Sequence, residues 1–312
     1  MPTPPQGERD GIVAAVDIGG TKTALVVWDQ RAERILLDIS AATPTDLGPQ
    51  AFTDGLVEEI HALIARARRS ESELIGIGVA VPGLVDERAG LVLEAGNLAG
   101  WVDLPLRATL EEHFPVAVAI EQDANAAALG EQWRGAAQGE SDFVFLALGT
   151  GVGAGIMLNG QLHRGAHHAA GEVGNFVVGR EFLGQERGGQ GNLAQLIGGR
   201  TLRARAEAAT GVEISAARAI AASDHDAGLA RIAEDVIDYL AMSVIAIASL
   251  LDPPLIVIGG GTAAAGHDLF EPVRARVAPE LARATRIVPA ALGPEAQLYG
   301  AVRCALVRAD AG

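Results

Sequence analysis

Residues 143–158 read FVFLALGTGVGAGIML: an apolar run Phe143 to Leu148, the turn Gly149-Thr150-Gly151, and a second apolar run Gly153 to Leu158 closed by Asn159-Gly160. Runs of this length, bounded by glycines and an Asn-Gly hairpin signal, predict two antiparallel strands. The same plan occurs at the start of the chain. Ile12 to Ile18 is an apolar run, Gly19-Gly20 a turn, Thr23 to Trp28 a second run, and Arg34 to Ile39 a third beyond the charged turn Asp29 to Glu33. The repetition predicts two halves built as variants of one β-meander.

Outward from these hairpins the period changes. Leu56, Ile60, Leu63, Ile64 and Ala67 recur at helical spacing, and Leu74 to Val81 reads as a buried strand ending at Pro82-Gly83. In the second half, Leu229 to Leu251 reads as a buried helix stopped by Asp252-Pro253-Pro254, followed by the strand Leu255 to Ile258 and the glycines Gly259-Gly260-Gly261. Strands alternating with helices imply an α/β protein of two lobes with mixed sheets, and a cleft between lobes is the usual place for a ligand. The expected division is a smaller N-terminal lobe 1–123, rejoined by a C-terminal helix at about 294–312, and a larger lobe 124–293.

Composition excludes several classes. The 312 residues are 49% hydrophobic and 20% charged, enough for one large core or two smaller ones, and the formal charge is −15. Basic residues cluster no further than Arg66, Arg68 and Arg69, so a nucleic-acid partner is not expected. The longest apolar stretch, Tyr239 to Leu251, carries two serines and is too short for a bilayer, and the start lacks a signal-peptide pattern. No membrane partner and a cytoplasmic location are therefore expected. Cys304 is the only cysteine, so neither an internal disulfide nor a thiolate zinc site is expected.

Three glycine turns and one carboxylate carry the chemistry. Asp17-Ile18-Gly19-Gly20-Thr21-Lys22 puts a carboxylate at a strand end before a turn whose amides and Thr21 hydroxyl can approach phosphate oxygens. Asp17 would hold Mg through a water, although an ordinary tight hairpin fits the same residues. Gly149-Thr150-Gly151 repeats the arrangement, and Gly260 and Gly261 would let a nucleotide lie against the backbone; plain hairpin and strand-to-helix turns are the alternatives. Asp123, in EQDANAAALGE (121–131), sits near the start of an Ala-rich helix, where a carboxylate also serves as an ordinary cap.

These pieces together resemble the ROK family, the repressor and kinase branch of the actin-like sugar kinases, over nearly the whole chain. The resemblance rests on DIGGT at Asp17, VPGLVD at Val81 to Asp86, NLAGW at Asn97 to Trp101, the EQDANAAALGE block, and LGTGVGAGI followed by Gly165 and GEVG at Gly171. It implies two actin-like (ribonuclease H-like) lobes and an ATP- and Mg-dependent hexose kinase acting as a homodimer. By position it implies Asp123 as the base that takes the sugar hydroxyl's proton, and Gly83, Asn97, Gln122, Asp123 and Glu172 as sugar contacts. Asp17, Gly19, Gly20, Thr21, Lys22, Gly149, Thr150 and Gly151 fall on the phosphates, and Gly260 and Gly261 beside the adenosine.

The match breaks after GEVG. Asn175 stands where the family usually has histidine, the cysteine zinc motif is replaced by Gly188-Gly189-Gln190-Gly191-Asn192-Leu193-Ala194, and Ala194 occupies the place of a sugar-touching glutamate. Glu181 and Glu186 in this segment are candidate substitutes, while His163, His167 and His168 fit no common metal spacing. Lost hydrogen-bond partners alter which sugar is accepted more than the phosphoryl chemistry. Two alternatives accompany the kinase: a sugar-responsive regulator, expected to carry a basic helix-turn-helix ahead of the kinase-like body, and a degenerate homologue that binds without turnover.

Overall fold

The computed structural model describes residues 10–96, 98–184 and 192–311. They fall into two compact units, the first within residues 10–133 with 295–311 and the second within residues 134–294.

The first unit is built on β1 (Ile12–Ile18), β2 (Lys22–Asp29), β3 (Arg34–Ala42), α1 (Pro49–Arg66), β4 (Leu74–Val81), β5 (Leu84–Asp86), β6 (Leu91–Glu94), β7 (Val102–Leu104), α2 (Leu106–His113), β8 (Ala117–Gln122) and α3 (Asp123–Arg134). Its main sheet has the order β3-β2-β1-β4-β8, and β5, β6 and β7 form a small second sheet that the apolar pattern does not announce. Because side chains alternate along a strand, Ile12, Ala14, Val16 and Ile18 enter one core with Leu56, Ile60 and Leu63 of α1. Val13 and Ala15 enter another with Leu298, Ala301 and Ala305 of the C-terminal helix, Ala296–Ala311. A strand covered on both faces reads as a continuous apolar run, and β1 does.

The C-terminal helix lies on the sheet backbone to backbone. A methyl added at Gly78 of β4 would fall on the carbonyl of Ala301, one at Gly300 on the carbonyl of Ala126, and one at Gly130 on that of Ala296. Gly78 thus seats the C-terminal helix on β4, and Gly130 and Gly300 seat it against α3, all within the first unit, which runs through Trp133.

The second unit contains β9 (Phe143–Leu148), β10 (Val152–Leu158), β11 (Gln161–Leu162), α4 (Leu193–Ile197), α5 (Gly199–Thr210), α6 (Ala216–Ala221), α7 (Ala227–Leu251), β12 (Leu255–Gly259), α8 (His267–Val277) and β13 (Arg286–Pro289). The sheet order is β11-β10-β9-β12-β13, with β9 antiparallel to β10 and parallel to β12. It repeats the plan of the first sheet: a three-strand meander followed by two parallel strands. Asn159 and Gly160 take positive φ (53° and 74°) at the β10–β11 turn, as a two-residue hairpin requires.

Asp226 caps α7 by accepting from Gly228 N (2.7 Å) and Leu229 N (3.0 Å), and the helix ends at Asp252 in the left-handed region before Pro253. Its stripe Leu229, Ile232, Val236, Leu240, Val244 and Ile247 forms the second core with β9 and β12. Among the described residues no helix is long and apolar enough to cross a membrane.

Candidate active site

In the first unit, strand register collects the acidic groups. β1, β4 and β8 are parallel, with Asp17 opposite Ala80 and Ala80 opposite Glu121, so Asp17 and Asp123 both sit at the carboxyl ends of parallel strands. That end of an open parallel sheet is where ligands bind. Asp17 is half-buried, and its carboxyl is pushed up to about 7, first by burial and then by repulsion from Asp123, with exposed Lys22 acting in the opposite direction.

The β1–β2 turn is closed by Gly19 N donating to Lys22 O at 2.9 Å. A side chain at Gly19 would meet that same carbonyl. Among the described residues no protein acceptor meets the amide hydrogens of Gly20 or Thr21, which leaves them for a ligand.

At the β8–α3 junction the two readings of Asp123 separate. The α3 cap is Gln122, whose Oε1 accepts from Asn125 N at 2.8 Å, while Asp123 Oδ1 accepts from the adjacent Ala124 N at 2.7 Å. Behind them lies buried Glu121, whose Oε1 accepts from Gln122 N (3.1 Å) and from Asn125 Nδ2 (3.1 Å). With Oε1 committed to the helix, Gln122 has its amide hydrogens left to offer. Sequence reasoning did not find Glu121 or Asn125, because their partnership appears only when strand and helix meet.

In the second unit, the β9–β10 turn has its carbonyls taken by the start of α5: Gly199 N donates to Gly149 O at 2.9 Å and Arg200 N to Thr150 O at 3.2 Å. Side chains at Gly149 or Gly151 would stand in open space, and the amide hydrogens of Thr150 and Gly151 meet no acceptor among the described residues. Gly260 has φ of 92°, and a side chain there would collide with the backbone of Leu148, whereas Gly261 faces open space. Thr262, 2% exposed, has a hydroxyl with no hydrogen-bond partner among the described residues.

Glu172 is half-buried and precedes the short 3-10 turn Val173–Asn175, whose last residue is exposed. Gly83, with φ of 92°, is required by the carbonyl of Glu94, so a packing demand accounts for it without a ligand. Asn97, Glu186 and residues 188–191 lie outside the described residues. Glu181 is exposed in the turn Arg180–Phe182, and Asn192 caps α4 by accepting from Gln195 N at 2.9 Å.

Residues 13–308 match the sequence model of the ROK family. The chain belongs to the ROK family. It is 31% identical over 306 residues to a glucokinase of Halalkalibacterium halodurans, covering 91% of this chain and 92% of the relative. Its fold is that of a ROK family glucokinase from Streptomyces griseus in complex with glucose and AMPPNP, at TM-score 0.77 and 31% identity, covering 95% of this chain and 99% of that one. A xylose repressor of Caldicellulosiruptor bescii is 30% identical over 233 residues, 70% of this chain and 58% of the repressor. The ROK kinase fold, with its two actin-like lobes, is therefore the fold of this chain, and its relatives include both sugar kinases and sugar repressors.

The residues fit the groups this fold implies. A carboxyl whose pKa burial and a neighbouring carboxylate raise to about 7 gains from a cation, and the carboxylate oxygens of Asp17 suit a hard ion such as Mg. Without a cation the same carboxylate costs stability. Below its unfolded value of 3.8 the group is protonated in both states and costs nothing; as pH rises from 3.8 to about 7 the unfolded chain ionises while the folded one resists, so stability falls across that window and levels off above it. In EDTA and without nucleotide, Asp17→Asn is expected to stabilise the protein at pH 8 by about 1–3 kcal/mol, the difference closing at pH 4. Urea unfolding at both pH values checks this, and equal stability of the two proteins at pH 8 would refute it.

Proposed function

We propose that this ROK protein is an ATP-dependent carbohydrate kinase that transfers a phosphoryl group to a hydroxyl of a hexose or hexose derivative. The observation that carries the reading is the junction at Gln122-Asp123. The helix cap is supplied by Gln122, so Asp123 stands at the carboxyl end of the parallel strands, next to Asp17, without being the cap. The similar glucokinase with glucose and AMPPNP supports the substrate pair.

Asp123 accepts the proton of the attacking hydroxyl as its oxygen forms the bond to phosphorus and the bond to the leaving diphosphate breaks. Asn97, Gln122 and Glu172 hold the sugar, Gln122 through its amide hydrogens, with Gly83 lending backbone. Amides of Gly19 to Lys22 and Gly149 to Gly151 cradle the polyphosphate, and Gly260 and Gly261 lie beside the adenosine. Asp17 would hold Mg through a water, with the Thr21 hydroxyl on a phosphate oxygen; when bound, the ion neutralises phosphate charge. The enzyme works in the cytoplasm as a homodimer.

The repressor relatives, and Asn175 and Ala194 at usual sugar-contact positions, favour a second reading in which the protein binds sugar without turnover. One assay separates the two. Protein, Mg and ATP are incubated with hexoses, amino sugars and N-acetylated sugars while ADP is followed. Sugar-dependent ADP with at least one member is expected; none, where a related kinase is active, would defeat the kinase reading.

A further inference from the structure

We infer that Thr43 is a positioning residue for the nucleotide, holding the Gly19–Lys22 turn in its amide-presenting shape; this rests on the kinase reading for its functional consequence. Thr43 follows β3 and reaches the turn twice. Its amide donates to Thr21 O at 3.1 Å, and its hydroxyl donates to Gly19 O at 2.7 Å. A hydroxyl has one hydrogen, so the 2.9 Å contact between the Thr43 and Thr23 hydroxyls must be donated by Thr23. Both threonines are 8% exposed, so the relay runs under the turn, shielded from water.

The planar peptide converts this into function. In a trans peptide the C=O and N–H point in opposite directions, so drawing the Gly19 carbonyl down onto Thr43 turns the Gly20 amide the other way. That amide meets no protein acceptor among the described residues. With no side chain at Gly19 or Gly20 to fix the peptide plane, the hydroxyl of Thr43 supplies the restraint. The second unit solves the same problem differently, with the backbone amides of Gly199 and Arg200 on the carbonyls of Gly149 and Thr150.

Thr43→Val keeps the branched shape and removes the hydroxyl, whereas Thr43→Ser keeps the hydroxyl. In steady-state kinetics Thr43→Val is expected to raise KM for MgATP about tenfold while leaving KM for the sugar within about twofold, with Thr43→Ser restoring most of the loss. An unchanged KM for MgATP, or equal rises in both KM values, would overturn the inference. Hydrogen exchange of the ligand-free proteins over residues 18–23 gives a readout independent of turnover. Exchange there is expected to be faster than wild type in Thr43→Val, to match wild type in Thr43→Ser, and to be unchanged over residues 143–152. If the wild type turns over no sugar, the kinase reading fails and the exchange result alone decides whether Thr43 braces the turn; unchanged exchange over residues 18–23 overturns it.

Discussion

Replacing Asp123 by asparagine is expected to lower kcat by about a thousandfold or more while leaving sugar affinity within a few-fold. The structure explains why the loss should be chemical. The bond that Asp123 makes to its helix, Oδ1 accepting from Ala124 N, is one an asparagine oxygen reproduces, and the cap itself belongs to Gln122. The variant therefore keeps this bond and the cap, and loses the negative charge and with it the capacity to accept a proton. Sugar binding is followed by calorimetry and turnover by ADP formation. A variant that turns over like the wild type removes Asp123 from the base's role; one that loses sugar affinity as severely as turnover makes Asp123 a binding group instead.

A comparable effect, on stability, is expected at the seam that seats α3. Gly300→Val is expected to destabilise the protein by more than about 4 kcal/mol, and Gly78→Val similarly, because each new side chain meets a backbone carbonyl that no rotamer change can move aside. The C-terminal helix would have to lift off the sheet, taking Leu298, Ala301 and Ala305 out of their core. Gly55→Ala on α1, where an added methyl meets nothing within 4 Å, is the control and should leave the fold intact. Unfolding curves for the three variants check the expectation, and a Gly300→Val protein as stable as wild type would show that the helix does not depend on this close approach.

Much of this fold is legible in the amino-acid sequence, for identifiable reasons. The strands at Ile12–Ile18, Leu74–Val81 and Phe143–Leu148 are apolar runs closed by glycines, and buried strands have few other ways to be written. Element boundaries drift where propensity is silent. β3 runs on to Ala42 with its side chains largely exposed, and α1 starts at Pro49, where proline at the first position replaces an apolar signal. The small sheet β5-β6-β7 and the helices α4 to α6 carry too little periodicity in segments this short.

The site is legible as a set of loops and not as a set of contacts. Sequence leaves Asp123 undecided between cap and base, and only the Gln122 Oε1 to Asn125 N bond distinguishes the two roles. Gly83 and Gly260 read as ligand-facing glycines, yet each is also compelled by a carbonyl or backbone it crosses, Glu94 in one case and Leu148 in the other. Thr43 lies 24 residues beyond the turn it braces, and a hydrogen bond across that separation leaves no local mark.

If Asp123 is the base in phosphoryl transfer from ATP to a sugar, turnover must depend on its ability to take a proton. Sugar-dependent ADP formation by wild type and Asp123→Asn, measured side by side at saturating MgATP with the best sugar of the panel, tests that dependence. Steady turnover is expected from the first protein and a rate at the sugar-free background from the second. Equal rates from the two would show that the phosphoryl group moves without Asp123.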